Sequence, residues 1–303
     1  MRRKKSISLL ALFLALAALA VPAPLQAAGP RNIIVFFEFR EVTGGVDAAL
    51  ETVFNRMLGP SDQLIIQSPA RLYGFSPQTL ARPKTELIAM MHEKLRGDIS
   101  QAAQNYQQVT KDLEIAVRNL EGFVMPSGVP EAGGMGGGRE TRDLSELFNG
   151  YRQGLDNLAV LRKVNEAALR QLAGAFRGQK GENHIIVLFE REFRPVPRRE
   201  ALNILGDMPK FAFQANELFT IGNLKEPFDG AALAEFFKEV PLKLHFVYVT
   251  GKTTSATGNL LENSGDVYSA FSKAARATGG VCETTAEPAD GLKAVMKAWK
   301  DEK

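Results

Sequence analysis

A single cysteine, Cys282, leaves the chain no intrachain disulfide, so its stability must come from a packed core. Three histidines and that one cysteine offer no paired Cys/His spacing for zinc. No Gly-x-Ser-x-Gly elbow presents a nucleophile either. Beyond residue 28 no apolar run approaches the ~18 residues that make a candidate membrane helix, so none is expected in the mature chain. An excess of charge is also lacking. Once the four cations of the leader are set aside, 33 basic residues face 34 acidic ones, a formal charge near −1. Nothing global argues for nucleic acid as a partner.

What is present begins with that leader. Arg2, Arg3, Lys4 and Lys5 precede the apolar run Ile7–Ala20, and Ala23, Ala27 and Ala28 supply small residues for cleavage. Residues 1–28 therefore have the form of a secretory signal peptide, and the expected location is periplasmic or secreted.

Downstream, Asn32–Phe39 (NIIVFFEF) and His184–Phe189 (HIIVLF) are short, almost wholly apolar runs rich in Ile, Val and Phe. Such runs form strands buried on both faces. Val46, Leu50, Val53, Phe54 and Met57 fall on one helical stripe, which Gly59-Pro60 ends. Gln63–Gln67 and Arg71–Phe75 predict two further strands. Leu244–Val249 and Val281–Thr284 predict two more, interleaved with helices at Asp229–Glu239, Tyr268–Thr278 and Asp290–Trp299. This alternation predicts an α/β fold with a doubly wound, largely parallel sheet.

Between the two halves lie residues 84–178. Leu87, Met91, Leu95, Ile99, Ala102, Tyr106, Val109, Leu113, Ala116 and Leu120 step by threes and fours, as do Leu144 to Phe176. The spacing predicts an antiparallel helical hairpin that projects from the α/β body, its seam free to pair with a second copy. Its tip, residues 122–138, holds seven glycines and two prolines. Phe123, Val124, Met125, Val129 and Met135 make that tip apolar enough for partner docking, the alternative being a plain connector.

Three stretches resemble, in order, a von Willebrand factor A domain of the exported bacterial type. They are NIIVFFEF with its helix and the Leu58-Gly59-Pro60-Ser61-Asp62 turn, then HIIVLFE, then FSKAARATGGVCETTAEPADGLKAV. The likeness spans residues 32–80 and 182–300. It implies a protein-binding domain in which a divalent cation sits at the carboxyl edge of the sheet, held by an Asp-x-Ser-x-Ser loop, a threonine and a further acid. Here those slots hold Glu38, Arg40, Val42, Ser76 and Glu190. Val42 brings no oxygen and Arg40 brings a fixed positive charge. Sliding the register to Glu41-x-Thr43-x-Gly45 leaves the loop equally incomplete. No metal, cofactor or catalytic residue is expected.

Three readings of these charges stand open. Arg40 replaces the cation and bridges Glu38 and Glu190; or the charges are solvated apart; or a weak metal site survives. The candidate docking residues at this edge are Glu38, Arg40, Thr43, Ser76, Glu190 and Arg191. A basic cluster of Arg191, Arg194, Arg198 and Arg199 either reads acidic partners or is solvated. His184 and His245 fall at the amino ends of their strands, away from the edge where such sheets bind ligands, and His92 lies on the hairpin. Gly251-Lys252-Thr253-Thr254 lacks the first glycine of a phosphate loop, Phe246 standing there. Cys282 is expected as an inert core thiol. The sequence thus points to an exported protein-binding adaptor rather than an enzyme. A structural envelope component that oligomerises through the hairpin, or an exported hydrolase of unfamiliar type, are the alternatives.

Overall fold

The computed structural model describes residues 30–125, 144–162, 166–217, 230–251 and 259–301. The leader lies outside them. Eight strands are present among these residues: β1 (Arg31–Glu38), β2 (Gln63–Gln67), β3 (Leu72–Phe75), β4 (Glu182–Glu190), β5 (Phe193–Val196), β6 (Lys243–Val249), β7 (Asn259–Glu262) and β8 (Cys282–Thr285). Six of them form one sheet in the order β3-β2-β1-β4-β6-β8, parallel except for β3, which returns beside β2 as an antiparallel edge. The chain is a mixed α/β protein built on this sheet.

Period-two burial sorts the strand side chains to two faces. Ile33, Val35, Phe37, Leu64, Ile66, Ile186, Leu188 and Val247 point one way. They meet α1 (Gly44–Thr52), its π-helical extension Val53–Met57, and α10 (Pro288–Asp301). Ile34, Phe36, Ile185, Val187, Phe189, Leu244 and Phe246 point the other way. They meet α5 (Glu166–Gly174), α8 (Gly230–Lys238) and α9 (Gly265–Ala277). Both faces being covered is what the apolar β1 and β4 sequences require.

Two turns depend on special residues. Asp62 accepts the Gly59 amide at 2.7 Å and pairs with the Arg31 guanidinium at 2.6 Å, which closes the turn into β2. After α9, Gly279 takes φ +71°, and a Cβ on Gly280 would stand 1.8 Å from the Leu244 carbonyl oxygen. The Thr-Gly-Gly sequence is therefore needed for β8 to enter beside β6.

The inserted helices depart from a free lever. Helix α3 (Lys84–Val124) runs 41 residues. Its first half, through Leu87, Met91, Leu95 and Ile99, belongs to the sheet's own core. In its second half Leu113, Val117 and Leu120, flanked by the half-buried Val109, Ala116 and Val124, face α4 (Leu144–Arg162) and meet Leu144, Leu147, Phe148, Tyr151 and Leu158. The hairpin is also buttressed along its length. Tyr106 Oη donates to the Phe193 carbonyl at 3.1 Å, Tyr151 Oη to that of Pro195 at 2.8 Å, and Arg198 pairs with Glu121 at 3.2 Å. Among the described residues the seam's apolar positions are therefore packed within the chain. Helices α6 (Arg199–Asp207) and α7 (Ala212–Ala215) cover one flank, where Phe211 stacks on Phe148. The remaining helix, α2 (Pro77–Leu80), is a single turn.

Candidate functional site at the carboxyl edge of the sheet

Strands β1 and β4 end side by side, with Glu38 opposite Phe189, and this brings three carboxyl groups and one guanidinium together. Arg40 stands just past β1. Its Nε donates to Glu192 Oε1 at 2.7 Å and its Nη2 approaches the same oxygen to 2.6 Å. Nη2 also donates to the Leu161 carbonyl at 3.3 Å, and the guanidinium lies 5.2 Å from the centre of the Tyr106 ring. The Arg40 amide donates to Glu190 Oε2 at 2.8 Å. One residue thus holds Glu192 by its side chain and Glu190 by its backbone, through charge-assisted bonds in a partly dry setting.

The electrostatics follow from this crowding. Burial pushes the Glu38 carboxyl above its ordinary range; Arg40 pulls it down and Glu192 adds to the rise. Burial likewise raises Glu190, held back by the Arg40 and Glu41 amides. Desolvation opposes charge on Arg40, but Glu192 and Glu38 outweigh it and hold the guanidinium above its usual value. Arg40 is a resident cation within a carboxylate cluster. Glu192 is 2% exposed, so this ion pair is a buried one.

A second ring of polar groups fixes Glu192. Its amide donates to Ser264 Oγ at 3.1 Å, and its carbonyl accepts from the Asn263 amide at 2.9 Å. Ser264 Oγ lies 2.7 Å from Tyr248 Oη, which donates to Glu262 at 2.7 Å. These residues come from β6, β7 and the start of α9. The small β5–β7 ribbon is what carries Glu192 and Asn263 into place.

Several expected site residues land elsewhere. The guanidinium partner is Glu192, not Glu190, because the chain turns after β4 and sends the next alternate side chain inward. Ser76 is at the opposite, amino-terminal edge: β3 is antiparallel, so Phe75 pairs with Leu64 at the start of β2. There Ser76 caps α2 by accepting the Thr79 amide. Thr43, exposed at the start of α1, and the half-buried Arg191 do flank the cluster's strand ends. Arg191 donates to the Thr250 carbonyl at 3.1 Å and stacks on Phe193. The basic cluster does not form a patch, since Arg194 is buried and Arg198 is tied to Glu121. Cys282 is half-buried rather than in the core because β8 is the sheet's edge strand; burial still pushes its thiol up. At the hairpin tip Phe123 is exposed, whereas Val124 packs against the hairpin core and Met125 follows the helix end. Val129, Met135 and Lys252–Thr254 lie outside the described residues.

Among the described residues, no group of three His, Cys, Asp or Glu side chains is disposed to hold a metal ion, and no helix is long and apolar enough to cross a membrane. No protein-family model, curated protein or solved structure matches the chain.

The amino edge of the sheet holds a second polar centre. His184 Nδ1 lies 3.1 Å from His245 Nε2, and His245 Nδ1 accepts the Val281 amide at 3.1 Å. The Val281 amide makes His245 the Nε2–H tautomer, donating to His184, whose own proton is on Nε2, 3.6 Å from Glu182; the Trp299 Nε1–H, 3.4 Å from His245 Nε2, then cannot donate to that nitrogen. Trp299 packs 4.5 Å from the His184 ring. Burial lowers His184 to about 4 and His245 to about 3. Both are structural neutral imidazoles at the edge where open α/β sheets do not bind ligands.

Proposed function

We propose that this protein is an exported protein-binding module, related in plan to von Willebrand factor A domains, whose docking edge works without a metal. The observation that carries the reading is the Arg40 guanidinium seated among Glu38, Glu190 and Glu192 at the carboxyl edge of the sheet. In the resembled domains a cation and a partner carboxylate meet at this edge; here the positive charge is covalently part of the chain. Supporting features are the strand order 3-2-1-4-6-8, in which the main-sheet strands follow the doubly wound sequence with its switch point between β1 and β4. Glu41, Thr43 and Arg191 would form the rim that a partner touches. The periplasmic or secreted location, suggested by the leader, belongs to the same proposal.

Site-specific photo-crosslinking tests it. A photoreactive residue at Thr43 is expected to trap a discrete partner in the cell envelope, with the same yield in EDTA. One at Ser76, on the opposite edge, is expected to trap none. Capture from Ser76 alone, or loss of the Thr43 adduct in EDTA, would contradict the proposal.

A further inference from the structure

With the seam consumed internally and α6 and α7 on one flank, the other flank of the hairpin is an open groove. It has a volume of about 410 Å³ and lies between Asp112, Ile115, Ala116 and Asn119 of α3 and Glu146, Leu147 and Gly150 of α4. Ile115 is 42% exposed at its centre, and a Cβ at Gly150 would meet nothing within 4 Å, so another helix has room to approach closely. The charges around Ile115 are of both signs. Asp112 has only an exposed intrahelical bond from Gln108, and Lys111, Arg118 and Glu146 take no ion-pair partner among the described residues.

We infer that this groove is a self-association surface, occupied by α3 of a second copy crossing antiparallel at Ile115. Asp112 and Arg118 lie three residues on either side of Ile115, on the exposed face of α3. A two-fold axis through the paired isoleucines therefore sets Asp112 of each copy against Arg118 of the other. Lys111 then falls opposite Asn119, and Gln108 opposite Gly122, so none of these facing pairs is like-charged. An isologous contact needs such self-complementarity, and a helix face carrying it is suited to its own copy. This surface is separate from the sheet edge, and either can fail while the other stands.

The test is sedimentation equilibrium of the purified protein across a concentration series. A monomer–dimer equilibrium is expected. Asp112→Arg and Arg118→Asp, each placing like charges at two symmetric points, are expected to weaken dimerisation about tenfold or more. The double variant Asp112→Arg/Arg118→Asp is expected to return to the wild-type constant, and Ile115→Glu to remain monomeric. All three substituted positions are exposed, so the helical circular dichroism of each variant should match wild type. A monomer mass at every concentration would overturn the inference. So would a dimer that neither single charge change weakens, or a charge swap that fails to restore it.

Discussion

Replacing Arg40 with alanine is expected to lower the unfolding free energy by about 3–5 kcal/mol, the range for breaking a buried ion pair by removing one partner. The reason is what remains behind. Glu192 is 2% exposed and would lose the guanidinium that pairs with it in a dry setting. Glu38, raised already by burial, would lose the guanidinium that pulls it down. The Tyr106 ring would lose its stacked guanidinium as well. Denaturant unfolding of wild type and variant at neutral pH measures the effect. The difference should narrow in acid, because the cluster's carboxyl groups then take up protons and need no cation. Arg40→Lys should recover only part of the loss, since an ammonium restores the charge but not the fork or the stack. If Arg40 were a solvated loop residue, the alanine variant would lie within about 0.5 kcal/mol of wild type at every pH.

The second large effect is expected at the opposite edge. His184 and His245 have folded values of about 4 and about 3, below their ordinary 6.5. Both groups are depressed, so their contribution is intact above pH 6.5, where folded and unfolded chains alike are neutral. As pH falls below 6.5 the unfolded chain binds protons that the folded one refuses. Stability then drops until the folded values are passed, near pH 4 and pH 3. At pH 5 the loss relative to pH 7 is roughly 2 kcal/mol per histidine, about 4 kcal/mol for the pair. Glu38 and Glu190 act in the other direction. Their raised folded values favour the native state as pH falls, so the wild-type curve alone mixes two signs. The difference between wild type and His245→Asn isolates the His245 part. Asparagine keeps an acceptor for the Val281 amide but does not titrate. The variant should lose roughly 2 kcal/mol of the drop between pH 7 and pH 5, about half of the histidine pair's share. Parallel curves for the two proteins would show that His245 is not held neutral by the fold.

The sheet was legible because its strands are buried on both faces. Runs such as NIIVFFEF and HIIVLF cannot be amphipathic helices, and the Thr-Gly-Gly turn marks where α9 ends. The hairpin was half legible. A three–four spacing along α3 is the same whether Leu87 to Ile99 face a sheet or a second helix, so periodicity could not show that its first half joins the main core. The β5–β7 ribbon was missed because Pro195 and four arginines give residues 191–199 the look of a solvated loop, and two-stranded ribbons have only edges, where proline is tolerated.

At the site, Glu38, Arg40 and Glu190 were named from the resemblance, as the slots of its metal loop. Glu192 was not, although Glu190-Arg191-Glu192 alternates in the strand's own period, and that alternation was the available signal. Ser76 was assigned to the wrong edge because sequence order does not disclose whether a returning strand runs parallel or antiparallel. The histidine pair could not have been seen at all. His184 and His245 are 61 residues apart, and only the β4–β6 register brings their rings together.

That Arg40 serves as the cluster's own cation is tested most directly by a metal titration. Protein stripped with EDTA is melted with and without millimolar Mg²⁺, Ca²⁺ or Mn²⁺ at neutral pH and constant ionic strength. With Arg40 already neutralising the carboxylates, the melting temperature is expected to stay unchanged for all three ions. A saturable rise with any of them would mean that the native state binds the ion, and would contradict the metal-independent edge.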